Sequence, residues 1–450
     1  MQEIRDSMSQ SQTLTATQPQ SSSAVALLPL LLFLATFVGA GLYHQSQGAD
    51  FAFYQLSPVI AILPAIVLAF ALARQAIDKS LDQFIAGIAD NNIIAMCLIY
   101  LLAGAFASVA KATGGVDATV ALGLTLIPAS LLLPGFFLIA GFIATSMGTS
   151  MGTIGALAPV AYGIAQQAGI DPALMAGAVI SGAMFGDNLS IISDTTIAAT
   201  RTQGCEMKDK FRENIRVSAP AAAITFVLFL LLGSGQSAVD AGSYDLIKVL
   251  PYLTILVLAV AGVNVFLVLP AGILLAGVSA IAGGEYSAMQ LGKDVYAGFT
   301  GMQEIFLLSM LVGGLAALMK QQGGLNWLAN NAAAAIARFS KKEQSPRAAE
   351  LGMAGVVSAT NLCTANNTVS IIITGSVAKD LAERHGVRKR RAASMLDIFS
   401  CITQGLIPWG AQALLTGATF KLSPLVVVSN AWYCLVLAAV AVVMVSLRKA

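Results

Sequence analysis

The way polar residues interrupt its apolar runs constrains this chain more than any other feature. Residues 25–447 form a succession of largely uncharged stretches, many near the roughly 20 residues a helix needs to cross a bilayer. Three stretches, 133–167, 172–203 and 349–416, are apolar in bulk yet carry clusters of Ser, Thr, Asn, Asp and Gly in their interiors. Lipid offers no partner for backbone N–H and C=O groups, so a helix broken at that depth must be buried in protein or line a cavity. Composition agrees, since 57% of the 450 residues are hydrophobic and 11% are charged, against roughly 25% charged in water-soluble domains. The chain reads as an all-α, polytopic membrane protein with the lipid bilayer as its first partner.

Several function classes drop out early. Lys and Arg total 25 and Asp and Glu 23, a net charge of +2 that is no basis for nucleic-acid binding. The five cysteines lack C-x-x-C spacing and the only histidines are His44 and His385, so no zinc, haem or iron–sulfur cofactor is expected. With no G-x-S-x-G, nucleotide loop or metal-ligand triad, an enzyme is not expected either.

Residues 1–24 show no apolar periodicity and read as a disordered cytoplasmic tail. Uninterrupted spans are expected at 25–43, 57–73, 93–110, 217–233, 249–269, 271–284, 305–319 and 424–447. The two halves, 25–233 and 249–447, share an order of span, Gly-Gly, polar break, helix and second polar break. A shift of 217 residues lays Thr149-Ser150-Met151 on Asn366-Asn367-Thr368 and Asp187-Asn188-Leu189 on Gln404-Gly405-Leu406. This is the signature of an internal repeat.

Loop charges give the orientation. The loop at 166–171 has no basic residue, whereas its counterpart carries Arg384, Arg388, Lys389, Arg390 and Arg391. Basic loops mark the cytoplasm, so the repeats are read as inverted, with re-entrant hairpins opening to opposite faces and broken transmembrane helices between them. Arg74 and Lys79, the segment from Lys208 through Lys210 to Arg216, and Arg347 all fall inside in this topology, which requires that residues 118–132 do not cross fully.

The densest polar cluster is Gly186-Asp187-Asn188-Leu189-Ser190-Ile191-Ile192-Ser193-Asp194-Thr195-Thr196. A carboxylate at membrane depth is costly and faces a cavity, a partner or an ion path. Carboxylate, amide and hydroxyl oxygens, with carbonyls freed at a helix break, suit a small hard cation such as Na⁺. Asp187 and Asp194 are therefore the candidate cation and proton carriers, with Asn188, Ser190, Ser193, Thr195 and Thr196 around them. Some of these hydroxyls are equally read as caps of the two half-helices.

This string, with the basic segment after it, resembles the NhaC-type Na⁺/H⁺ antiporter family of the ion-transporter superfamily, over residues 25–447. The resemblance implies an elevator-like or rocking carrier in which hairpin tips and broken helices meet at the substrate, Na⁺ and H⁺ as partners, a bacterial cytoplasmic membrane, and a homodimer. The chain departs from the family's usual Gly-Asp-Lys in having Asn188 at the third position. A Na⁺- or H⁺-coupled carrier of an amino acid or small organic carboxylate is the alternative. Thr149 and Ser150 read as the tip of a first hairpin, and Asn366, Asn367 and Thr368 as the tip of a second. Asp397, Ser400 and Gln404 recur at helical spacing on one face. Two readings stay open for Asp397: a proton relay, or a cytoplasmic-end charge beside Arg390 and Arg391.

Overall fold

The computed structural model describes residues 22–48, 55–126, 128–191, 193–233, 245–284, 286–327, 330–331 and 345–447. Most of the expected N-terminal tail lies outside these residues. Every regular element among them is helical. In the first half these are α1 (Leu28–Ser46), α2 (Pro58–Ala61), α3 (Leu63–Leu72), α4 (Ile77–Ile88), α5 (Asn91–Ala112), α6 (Gly115–Leu126), α7 (Leu132–Met147), α8 (Ser150–Gln167), α9 (Pro172–Leu189), α10 (Asp194–Gln203) and α11 (Met207–Gly233). The second half holds α12 (Leu246–Val260), α13 (Val265–Ala282), α14 (Ala288–Gly301), α15 (Gln303–Gln321), α16 (Pro346–Thr364), α17 (Asn367–Arg384), α18 (Lys389–Leu406), α19 (Ala411–Phe420), α20 (Pro424–Ser429) and α21 (Trp432–Leu447). Seven helical segments are long and apolar enough to cross a membrane.

The breaks fall where the polar clusters placed them, and their geometry recurs. α8, α9 and α10 each return 217 residues later, with the same lengths, as α17, α18 and α19. α7 ends on left-handed Gly148 (φ 70°), and α16 ends on Ala365 (φ 49°) at the same offset. Extended Thr149 and Asn366 follow, each accepting a backbone N–H into its side chain to cap the next helix. Gly204 and Lys421, also 217 residues apart, end α10 and α19 in the left-handed region. Ala365 and Lys421 are the only non-glycine residues with positive φ among the described residues, and each stands where the first half has glycine. The conformation is thus set by the fold, at a cost of about 1–2 kcal/mol for an L side chain.

Small residues let these helices approach closely. α9 lies on α7, where a Cβ on Gly186 would stand 2.1 Å from the Gly141 carbonyl oxygen. This is the close backbone packing that joins helices in a bilayer, where burial of apolar side chains offers little driving force. Exchange between the halves is reciprocal: α10 packs on α17 while α19 packs on α8, and α4 packs on α15 while α14 packs on α5.

Two expectations need correction. The spans 249–269 and 271–284 do not divide at Pro270, which lies inside α13; the chain turns earlier, at Gly262 (φ 75°) and Asn264, the latter capping α13. An apolar run without charges offers little to locate a turn except Gly and Asn, and the proline was the weaker marker. The basic segment from Lys208 to Arg216 is not a loop but the opening of α11. α6, with 12 residues, is about 18 Å long and falls short of a ~30 Å hydrocarbon core.

Candidate functional site: a cavity between two hairpin tips

α9 stops at Leu189, Ser190 is extended (φ −62°, ψ 138°), and α10 restarts behind Ser193, whose hydroxyl accepts from Thr196 N–H at 3.3 Å. Ser190 donates to the Thr145 carbonyl at 3.1 Å, bracing the break against the first hairpin. Both serines therefore hold the break open and do not face the space it creates. That space is a cavity of about 110 Å³. Thr149 and Ser150 reach it from the first tip, Asp187 from the end of α9, Asp194 and Thr195 from the start of α10, and Asn366, Asn367 and Thr368 from the second tip. Eight residues expected at the site thus come together from four elements and both halves of the chain.

Asp187 is 6% exposed and its Oδ2 accepts a hydrogen bond from Ser150 Oγ at 3.0 Å. Ser150 Oγ accepts in turn from Gln412 Nε2 at 3.0 Å, and Gln412 Oε1 accepts from Gln404 Nε2 at 2.8 Å. Gln404 also donates to the Ala365 carbonyl at the second tip, 3.1 Å away. Gln404, expected in the site, stands one step behind it, and Gln412 takes its place at the wall. One unbroken chain of hydrogen bonds thus runs from the carboxylate to both tips. Asp194 is exposed to the cavity and opens α10, where the helix dipole favours a negative group.

Asn188, Thr196 and Asp397 belong elsewhere. They surround Lys210, whose Nζ lies 2.8 Å from Asp397 Oδ2, 2.7 Å from Thr196 Oγ1 and 3.0 Å from the Asn188 carbonyl oxygen. Both members of this ion pair are 0% exposed. Asp397 Oδ2 also accepts from Asn188 Nδ2 at 3.0 Å and Asn214 Nδ2 at 2.7 Å, and Ser218 donates to Asn188 Oδ1. Neither arginine tied to Asp397 in the second reading pairs with it: Arg390 binds Glu213 at 3.0 Å and Arg391 binds Glu350 at 3.2 Å. Lys210, read from sequence as a cytoplasmic loop charge, is the largest correction. Its signal was present, since Lys210, Asn214 and Ser218 recur at i, i+4 and i+8 and so share one helical face. Gln412 was equally accessible, because the 217-residue shift carries Thr195 onto it. Asn92, which also lines the cavity, sits in the first turn of α5 and looked like an ordinary helix-start residue.

Fold and site together define a multi-pass carrier with a carboxylate-bearing cavity where discontinuous helices meet. The sequence profile of the Na⁺/H⁺ antiporter family matches residues 4–234 and 243–448, and the chain belongs to that family. It is similar to the Na⁺/H⁺ antiporter NhaC of Bacillus subtilis, 28% identical over 78% of this chain and 83% of that protein. It is also similar to a malate-2H⁺/Na⁺-lactate antiporter of the same organism, 25% identical over 72% of this chain and 75% of that protein. Among solved structures it is similar to the YdaH transporter of Alcanivorax borkumensis, with a TM-score of 0.42 and 14% identity, covering 94% of this chain and 98% of that one. Family membership and the apolar spans place the chain in a bacterial cytoplasmic membrane as a multi-pass protein.

Proposed function

We propose that this chain exchanges Na⁺ for H⁺ across the cytoplasmic membrane, with Asp187 and Asp194 as the shared binding groups. The observation that carries this reading is the convergence of two carboxylates, hydroxyls and amide oxygens from both halves on one small cavity. A carboxylate walled off from bulk water holds either a cation or a proton at acceptable cost, so the two compete for the same oxygens. Thr149, Ser150, Thr195, Thr368 and the tip asparagines complete an oxygen shell for Na⁺, which is cargo here and no resident cofactor. The 217-residue recurrence of helices, caps and left-handed ends supports reading the halves as inverted repeats whose relative movement exposes the cavity to each side in turn.

A symporter or exchanger of an organic carboxylate is the second reading. The capped N-termini of α8 and α17 both lie at the cavity wall, and helix N-termini attract anions. One relative's name also includes malate and lactate. Purified protein in liposomes with an internal pH dye separates the two. Alkalinisation driven by Na⁺ or Li⁺ alone supports exchange of ions; uptake of a labelled carboxylate or amino acid that requires Na⁺ supports the alternative. Proton movement that needs neither overturns both.

A further inference from the structure

Three spaces share lining residues in succession, the last of them the cavity that holds Asp187 and Asp194. The outermost, about 470 Å³, lies beside Arg74, Gln75, Gln83, Gln321 and Gln322. The middle one, about 230 Å³, shares Gln83 and Gln321 with it and continues past Asp90, Lys320 and Thr364 to Asn366. Asn366 is in turn a wall of the innermost cavity, which holds Asp187 and Asp194. α5 spans the last junction, with Asp90 and Ile93 on the middle space and Asn92 and Met96 on the inner one. The polar lining is chiefly amide, with Arg74, Lys320 and Asp90 as its charges. A hydrated ion travelling this way meets polar partners for its water and passes Asn366, the one residue that lines both the middle and the inner space.

The two hairpins differ in a way that their sequence equivalence does not require. In α8 every residue from Ser150 to Ala161 is buried. The matching start of α17 is open: Asn367, Thr368, Val369 and Ile373 are half-buried, and Val369 and Ile373 line the middle space. Ala156, 3% exposed, is the counterpart of Ile373 by the 217-residue shift. The base of the second hairpin carries Arg347, Arg384, Arg388 and Lys389, and basic ends face the cytoplasm.

We propose that these spaces form the cytoplasmic access lane of the carrier, that the described conformation is open to the inside, and that the second tip at Asn366 is the barrier which closes it. The proposal rests on reading the Asp187 cavity as the transport site. Water and Na⁺ enter between α4, α15 and the second hairpin, while the first hairpin, whose α8 is buried from Ser150 to Ala161, seals the opposite side.

The test is thiol labelling in vesicles, with Cys97, Cys205, Cys363, Cys401 and Cys434 replaced by Ala and single cysteines added back. Ile373→Cys is expected to react with a membrane-impermeant maleimide from the cytoplasmic face. Ala156→Cys should react at least about tenfold more slowly from either face, because a buried thiol reacts only when the chain opens locally. The adduct at Ile373→Cys should stop exchange. Gln83→Cys, on the wall shared by the two outer spaces, serves as a second probe should Ile373→Cys fail to reach the membrane. Equal rates at Ile373→Cys and Ala156→Cys, or reaction of Ile373→Cys only from outside, overturn the lane. Labelling is read by mass and needs no transport. If Asp187→Asn keeps exchange while Ile373→Cys labels, the site reading falls and the lane stands; if Asp187→Asn abolishes exchange while labelling fails, the lane falls and the site stands.

Discussion

Lys210→Met removes an ammonium group while nearly preserving the volume of the side chain, and its effect can be estimated from the contacts described. The ammonium neutralises Asp397 and donates to Thr196 and to the Asn188 carbonyl, all within 3.0 Å, in a place with no solvent exposure. Stripping one partner from a buried pair costs about 3–5 kcal/mol, because the remaining charge is left without compensation. The amides of Asn188 and Asn214 still point at Asp397, so the lower end, about 3 kcal/mol, is expected. That corresponds to roughly a hundredfold shift of the unfolding equilibrium. Adding Asp397→Asn removes the stranded charge and keeps an acceptor for the two amides, so the double variant should lose only about 1 kcal/mol and be more stable than Lys210→Met alone. Denaturation of the purified protein in mixed micelles, followed by the fluorescence of Trp327, Trp409 and Trp432, measures all three. The reasoning fails if Lys210→Met lies within about 0.5 kcal/mol of the parent, or if the two losses simply add, since contacting charges must couple.

Four other outcomes are expected. Asp187→Asn and Asp194→Asn should each abolish Na⁺-dependent proton movement in liposomes while leaving protein in the membrane; exchange retained in either would remove that residue from the site. The apparent KM for Na⁺ should rise as pH falls, up to about tenfold per pH unit where one proton competes with one ion, and pH-independent Na⁺ affinity would contradict a shared carboxylate. Gln412→Ala should weaken Na⁺ binding about three- to tenfold by freeing Ser150 from its donor, a loss of about 1 kcal/mol, whereas Gly186→Leu should prevent accumulation of folded protein altogether, since its Cβ has no room against Gly141; immunoblots and Na⁺ titrations settle both.

The architecture was legible because it follows from a shortage of partners. Dense clusters of Gly, Ser, Thr and Asn at membrane depth favour helix breaks, and these fell at Gly148–Thr149, Ser190–Ser193, Ala365–Asn366 and Ile407–Gly410. The 217-residue recurrence of caps and helix ends was legible at the same places, because positive φ, an extended cap and a restarted helix demand particular residue types. The turn at Gly262 was harder to place, since leucines and valines pack alike on either side of it. The division of the polar residues into two sites was hidden for a different reason. Asp187 and Asn188 are neighbours, but successive residues of a helix are rotated by about 100°, so one side chain faces the cavity and the next meets Asp397 and Ser218. Only the partner helix decides what each meets. Lys210 was hidden by its company, lying among surface charges such as Arg212 and Arg216, which are 74% and 65% exposed.

That second cluster explains why the first can work. Four charged groups lie close to the break between α9 and α10. Two of them, Lys210 and Asp397, cancel each other within the protein and satisfy the broken helix ends at Asn188 and Thr196. Among the described residues Asp187 and Asp194 pair with no such cation, and the one side-chain donor to either is the neutral hydroxyl of Ser150. Asp187, buried and without a paired cation among the described residues, is costly to leave charged, because an uncompensated buried charge costs several kcal/mol. On the proposed function the compensating charge arrives from solution, as Na⁺ or as a proton, and leaves before another replaces it. On the proposed function, exchange depends on Lys210, the one buried lysine among the described residues, staying paired with Asp397 and away from Asp187 and Asp194.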